Sequence, residues 1–288
     1  MAWDFRYESA KVIAELLEEQ GFSLSKKFGQ NFLLSKHAVH TIVDALKVAP
    51  NSRLWEIGPG IGALTIELLR QDLQVTAFEI DHGFCRILRE RAFKDEPNFL
   101  LVEGDFLKTW NDIHVAQGTP AAICGNLPYN VGSICIAKLL EAQCLPAVMV
   151  FTLQTEVADR LMAKAGSKQY APLSILSSID YSVTKLCSIP SSQFFPPPRV
   201  ESTVVQFQLL SQPKVEPERR KDFLTLVDDM FTQRRKTVRN NLLAGSMGKL
   251  FGKEQILAAL DNAEIDHSAR AEMLDIPVLL RLLGALNL

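Results

Sequence analysis

The sequence predicts an α/β fold with a mostly parallel sheet, followed by a small all-helical domain, and three observations predict it. Between residues 54 and 163, short apolar runs alternate with segments of helical period, the pattern of a parallel sheet covered on both faces. Two later runs, Tyr181 to Ile189 and Ser202 to Leu210, have no helix between them and read as an antiparallel hairpin at the sheet edge. Beyond Gln212-Pro213 and Glu216-Pro217 only the helical period remains. A chain of 288 residues is long for one core, so two domains are expected, 1–211 and 212–288.

The elements follow in order. Val12, Ile13, Leu16 and Leu17 recur at helical spacing near the N-terminus, and a polar, Gly-containing stretch from Lys26 to Leu33 comes next. Ser35 is an N-cap for a helix running to Leu46, which Pro50-Asn51-Ser52 ends. A short strand, Leu54 to Ile57, enters the turn Gly58-Pro59-Gly60-Ile61-Gly62, and Ala63 to Arg70 is helical. Strands at 75–80, 99–102, 121–124 and 147–153 alternate with helices at 82–91, 133–142 and 155–163. Past the linker, Phe223, Leu224, Val227, Met230 and Phe231 form one apolar stripe, and Ile256, Leu257 and Leu260 begin another.

Composition narrows the classes of function. Apolar residues make up 47% and charged ones 22%, ordinary values for a soluble protein. With 31 basic and 33 acidic side chains the net charge is -2, so any polyanion-binding surface must be local. The five cysteines and five histidines show no metal-ligand spacing, and the cysteines suit a reducing compartment. The acidic N-terminal segment fits neither a secretory signal nor a transit peptide, and no apolar run reaches the roughly 20 residues of a membrane span. A cytoplasmic protein without a metal is expected.

Ligands in an open parallel sheet bind where loops leave the carboxyl ends of the strands. Four such ends carry polar or Gly-rich groups: Gly58 to Gly62, Glu79, Asp105 and Asn126. The glycines admit a ligand close to the backbone at a helix start, whose amides favour a carboxylate or phosphate. Glu79 follows about 20 residues later, the distance at which an acid meets the hydroxyls of a ribose. Together they point to an adenosine-containing cofactor. Pro59 departs from the dinucleotide fingerprint, and the turn lacks the Lys-Ser/Thr ending of a phosphate loop. In Asn126-Leu127-Pro128-Tyr129, an amide that donates and accepts, a stiffened backbone and a stacking face suit a flat, hydrogen-bonding molecule.

The turn from Glu56 to Gly62 resembles the nucleoside-binding turn of class I S-adenosylmethionine-dependent methyltransferases, which implies a Rossmann-like fold and S-adenosyl-L-methionine as cofactor. In that family the acid after the second strand takes the ribose and the Asp after the third takes the adenine amino group, roles that fall on Glu79 and Asp105. Four stretches together resemble the KsgA (RsmA) small-subunit rRNA adenine dimethyltransferases: Phe28 to Leu33, Asn126 to Asn130, Ser192 to Val200 with its triple proline, and Phe231 to Arg239. The resemblance covers nearly the whole chain. It implies cofactor contact from Gln30, Asn31 and Leu33, which close over the ligand, and from Glu56, Gly58, Gly60 and Asn126. Ile80, Gly104 and Phe106 flank the two acids and join that set.

The resemblance also implies the chemistry. Asn126, Leu127, Pro128 and Tyr129 would hold the N6 amino group of an adenine, the Asn126 oxygen and the Leu127 carbonyl each accepting one hydrogen bond. Phe194 would stack on the base, although Phe195 stands where a smaller residue is common, so two adjacent rings compete for the role. The substrate implied is 16S rRNA within the small ribosomal subunit or its precursor, acted on by a monomer.

RNA recognition needs basic side chains. Residues 219 to 239 hold seven (Arg219, Arg220, Lys221, Arg234, Arg235, Lys236, Arg239) against three acids. Arg234, Arg235, Lys236 and Arg239 are the expected phosphate contacts, with Arg199, Lys26 and Lys27 extending the patch. Three alternatives stand beside this reading. They are a large-subunit rRNA adenine methyltransferase of the antibiotic-resistance type, a non-catalytic ribosome-assembly or transcription factor, and a dinucleotide oxidoreductase.

Overall fold

The structure is a computed structural model that describes residue 3, residues 5–21 and residues 31–288. It divides into two compact units, one of Met1–Ala158 with Val183–Leu209 and one of Asp159–Ser182 with Leu210–Leu288.

The first unit is built on a seven-stranded sheet. It begins with α1 (Ala10–Glu19), capped by Ser9, and the two-residue strand β1 (Phe32–Leu33). Helix α2 (Lys36–Leu46) starts at Ser35, whose side chain accepts from the Ala38 amide at 3.3 Å. Then come β2 (Arg53–Ile57), α3 (Thr65–Leu69), β3 (Gln74–Glu79) and α4 (His82–Ile87), which passes into a π turn over Leu88–Ala92. The alternation continues with β4 (Phe99–Glu103), α5 (Phe106–Gln117), β5 (Ala122–Asn126), α6 (Gly132–Glu141) and β6 (Val148–Gln154).

Strands β2 to β6 pair in parallel in the order β4-β3-β2-β5-β6. The chain winds outward from β2 through β3 to β4, then returns to lay β5 against the other side of β2. That reversal makes the crevice between β2 and β5 the topological switch point, where open α/β sheets bind ligands. Gly125 lets these two strands approach, since a Cβ there would lie 2.4 Å from the Ile57 carbonyl oxygen.

Helices α7 (Thr155–Met162) and α8 (Pro172–Asp180) precede β7 (Tyr181–Ile189), β8 (Phe194–Phe195) and β9 (Ser202–Leu209). Strand β9 pairs antiparallel with β6 and has β7 on its other side, at the sheet edge. Strands β1 and β8 form a separate antiparallel pair, Phe32 opposite Phe195 and Leu33 opposite Phe194.

The second unit is helical. Its core gathers Ile175 and Ile179 of α8 with Phe223, Leu226 and Met230 of α9 (Arg220–Phe231). Leu242 of α10 (Val238–Ala244), Leu260 of α11 (Ser246–Asn262) and Leu279 of α12 (Ile276–Ala285) complete it. The chain enters this unit at Leu210, close to the Pro-marked linker, and the unit also takes in residues 159–182. Pro172 at the first turn of α8, and the helical spacing of Ile175, Leu176 and Ile179, explain why that stretch is a helix. Among the described residues no helix is long and apolar enough to cross a membrane, and no cluster of His, Cys, Asp and Glu could hold a metal ion.

Candidate active site

A cavity of about 340 Å³ opens at the carboxyl ends of β2, β3, β4 and β5. Each expected group is delivered there by a strand end. Gly58, Gly60 and Gly62 have φ of 70°, 57° and 95°, a left-handed backbone that only glycine adopts without strain. The Gly58 amide bonds to the Phe78 carbonyl at 2.9 Å, so the turn leaves β2 still tied to β3. Glu79 then reaches back: its Oε2 accepts from the Gly60 amide at 3.0 Å and its Oε1 from the Asp81 amide at 2.9 Å. The Gly104 amide bonds to the Glu79 carbonyl at 2.7 Å and brings Asp105 to the rim. Asp105 Oδ1 caps α5 by accepting from the Leu107 amide at 3.0 Å, while its other oxygen remains available as an acceptor. Ile80, partly exposed, and Phe106, buried, add apolar surface to the lining.

Two buried carboxylates dominate the electrostatics. Glu56 is 1% exposed, and its Oε2 accepts from the Thr65 hydroxyl at 2.6 Å. Burial, opposed by that hydrogen bond and reinforced by the charge of Glu79, pushes its carboxyl up to about 8. Burial also pushes Glu79 up to about 7, against the bonds from Asp81 and Gly60. Ionised acids are costly in such a place unless a cation or donor joins them.

Asn126 ends β5, and its Nδ2 donates to the Asn31 carbonyl at 2.8 Å. The amide is thereby oriented, with Oδ1 left to accept. The Leu127 amide bonds to the Thr152 carbonyl at 3.2 Å, and the Pro128 carbonyl accepts from Val131 and Gly132 to start α6. The Tyr129 hydroxyl meets Ser202 Oγ at 2.7 Å, which fixes a half-buried ring at the cavity. Asn31 and Leu33 line the same cavity. Gln30, Lys26 and Lys27 lie outside the described residues.

Phe194 is not brought to this cavity. The β1–β8 pairing puts its side chain on the face of Leu33, and it is 2% exposed within the core that α2 packs on. Phe195 alternates to the other face and packs with the cluster of Phe32, Ile61 and Phe84. In the structure the Phe194 ring thus packs in that core, and it is not among the residues that line the cavity. Lining residues that the sequence did not forecast include Tyr7 and Ile13 from the N-terminal segment, and Phe84, Val131 and Cys135.

The basic residues divide. Arg235, Lys236 and Arg239 are exposed at the turn between α9 and α10 and at the start of α10, and Arg199 is exposed in the first unit. Asn241 secures that turn, donating to the carbonyls of Met230 at 2.6 Å and Gln233 at 3.1 Å. Arg234 is held by Glu272 at 3.1 Å and by the Lys168 carbonyl. Arg220, counted within the basic run, is instead buried and paired with Asp180 at 2.8 Å. Arg219 donates to the Leu288 carbonyl at 2.8 Å.

Comparison with known proteins adds the following. The model of a family described as ribosomal RNA adenine dimethylase matches residues 21–281. A ribosomal RNA small subunit methyltransferase A of Treponema denticola is 38% identical over 269 residues, 93% of this chain and 91% of that protein. A protein of the same name from Geobacillus thermodenitrificans is 38% identical and covers 94% of each chain. Among solved structures, a dimethyladenosine transferase from Plasmodium falciparum superposes with a TM-score of 0.76 at 24% identity, covering 88% of this chain and 97% of that one. The 23S rRNA methyltransferase ErmE gives 0.67 at 25% identity, covering 90% of this chain and 100% of that one.

Proposed function

This chain belongs to the ribosomal RNA adenine dimethylase family, and from that membership we propose that it is a 16S rRNA adenine N6,N6-dimethyltransferase using S-adenosyl-L-methionine. The observation that carries the reading is the pinned amide of Asn126 on a cavity that the glycine turn, Glu79 and Asp105 also line. Residues along that cavity fit the cofactor. Left-handed glycines leave the turn open, Glu79 would take the ribose hydroxyls and Asp105 the adenine amino group, and Ile80 and Phe106 line the cavity with them. Asn31 and Leu33, with Glu56 and Gly104, line the same cavity and would contact the cofactor, and Gln30 is assigned to the same set by the resemblance alone. When bound, the sulfonium supplies an electrophilic methyl group.

The protein's own part is positioning. An adenine N6 lone pair is delocalised into the ring and is a poor nucleophile. Asn126 Oδ1 and the Leu127 carbonyl accept its two hydrogens and localise the pair toward the donor. Holding the reactants in such a geometry can contribute ~7 to 11 kcal/mol. No strong base is required, because the nitrogen becomes acidic on alkylation and its proton passes through these oxygens to water. The monomethylated product keeps one hydrogen, which one acceptor suffices to hold for the second transfer. Pro128 stiffens the turn, and Tyr129 stacks on the extruded base, worth roughly 1 to 3 kcal/mol. Arg199, Arg234, Arg235, Lys236 and Arg239, with Lys26 and Lys27, serve as phosphate contacts.

The protein acts as a monomer in the cytoplasm, on 16S rRNA within the small subunit or its precursor. The small-subunit relatives at 38% identity favour this over a large-subunit substrate. Tritiated methyl transfer to unmethylated small subunits, large subunits and naked RNA tests it. Transfer confined to small subunits is expected, and transfer to large subunits alone would overturn the reading.

A further inference from the structure

We propose that a second cavity, of about 200 Å³, takes one unpaired nucleotide of the RNA substrate, its base against the Trp3 and Phe5 rings and its phosphate met by Arg6 and His40. The proposal rests on the rRNA reading above and deepens it.

The cavity is walled by the N-terminal segment, by α2 and by α3 with the residue that follows it. Trp3 and Phe5 stack with centroids 4.5 Å apart and an interplanar angle of 27°, and the Tyr7 ring meets Phe5 edge-on at 5.0 Å. These rings rest on the cluster of Ile13 and Phe32 yet stay partly exposed. Open ring surface of this kind suits single-stranded nucleic acid, because every base has a π face to stack.

Cations complete the pattern. Arg6, Lys36, His40 and Arg70 line the cavity with two acids, Glu8 and Glu67. Lys36 is held by Glu8 at 3.1 Å and Arg70 by Glu67, which leaves Arg6 and His40, both exposed, without an ion pair among the described residues. His40 lies one helical turn beyond Lys36 on α2, on the same side of the helix.

The cavity's position points to RNA. Leu34, on its wall, donates its backbone amide to the Gln193 carbonyl at 2.9 Å. The cavity therefore abuts residues 192–200, one of the stretches in which the chain resembles rRNA adenine dimethyltransferases and the one that carries Arg199. A free phosphate would leave the rings unused, and an acidic peptide would be opposed by Glu8 and Glu67. A nucleotide engages rings and cations together. Trp3, Phe5 and Arg6 also precede residue 21, where the family match begins, so the subsite draws on a segment outside the matched region.

Fluorescence tests the subsite directly. Trp55 is 1% exposed and Trp110 6%, so Trp3 is the accessible indole. A short oligouridylate, which has no adenine to enter the first cavity, should quench the full-length protein. Arg6→Ala and His40→Ala should each raise the half-quenching concentration by roughly 3- to 10-fold, with the unfolding midpoint unchanged, and Arg6→Lys should stay near the wild type. Trp3→Ala should raise KM for small subunits on the order of tenfold and leave kcat unchanged. Absence of quenching, equal quenching by inorganic phosphate alone, or an unmoved midpoint in both alanine variants would overturn the subsite. Quenching in a wild type that failed to methylate small subunits would instead remove the rRNA reading and leave a nucleotide site in place.

Discussion

The side chain of Asn126 donates to the backbone carbonyl of Asn31 at 2.8 Å, across 95 positions of sequence. One hydrogen bond thus links the residue expected to hold the target amino group with the stretch expected to cover the cofactor. Asn126→Ala should lower methyl transfer to small subunits by on the order of 100-fold, by analogy with the loss of one preorganised polar group from a reaction centre. Asn126→Asp should be comparably impaired, because a carboxylate would oppose the Asn31 carbonyl. Near-normal turnover of either variant in a tritium assay would refute the proposed role.

Cofactor affinity should depend on pH. In the free protein, Glu56 is raised to about 8 and Glu79 to about 7, both chiefly by burial. Both are protonated at low pH, whereas a cationic ligand favours their ionised forms. Affinity should therefore climb as pH rises through 7 to 8, with proton release visible as a dependence of binding enthalpy on the buffer. A flat profile between pH 6 and 9 would count against the role of these acids.

The same groups set a stability trend with the opposite sense. A carboxyl whose folded pKa lies above its unfolded value contributes fully below the unfolded value, and that contribution is lost as pH rises through the folded pKa. Glu56→Gln should accordingly raise the thermal midpoint of the ligand-free protein more at pH 9 than at pH 6. A larger gain at pH 6 would contradict the assignment.

The bond between Tyr129 and Ser202 predicts coupled behaviour. Ser202→Ala and Tyr129→Phe should each lower kcat/KM by roughly 3- to 10-fold, equivalent to about 1 kcal/mol. The double variant should be little worse than either single one, since they share one interaction. Fully additive losses would show that the hydroxyl pair is not what positions the ring.

Arginines of the second unit should separate by class. Arg235→Ala or Lys236→Ala should weaken RNA binding and reduce the salt slope by about 1 each, with cofactor affinity unchanged. Arg220→Ala should instead destabilise the fold by roughly 3 to 5 kcal/mol, because it strands Asp180 in the interior. Urea denaturation and filter binding across a salt series distinguish the two.

The strand ends that carry Gly58, Glu79, Asp105 and Asn126 were legible because apolar runs bounded by glycine and acids have a strong local signature. What escaped was set by distance in the chain. Tyr7 is an ordinary aromatic in an amphipathic segment, and nothing local announces a cavity wall. Arg220 reads as part of a basic run until Asp180, far back in the sequence, buries it. A pair of two-residue strands has no periodicity to detect, so the side on which Phe194 lands became visible only with its partner Leu33. Helix α5 also lacks a strong signal, since its apolar face is sparse and only Phe106 and Trp110 of it are buried.

That small pair of strands makes one wall of the cavity depend on a segment synthesised much later. Phe32 and Leu33 cannot be clasped until Phe194 and Phe195 have left the ribosome, and contacts between such distant segments close late because the intervening chain must first be ordered. A nascent chain halted at α8 would already carry every glycine and acid of the crevice, with nothing to fasten its forward wall. The clasp on Phe32 and Leu33 can therefore form only after most of the polypeptide has been made.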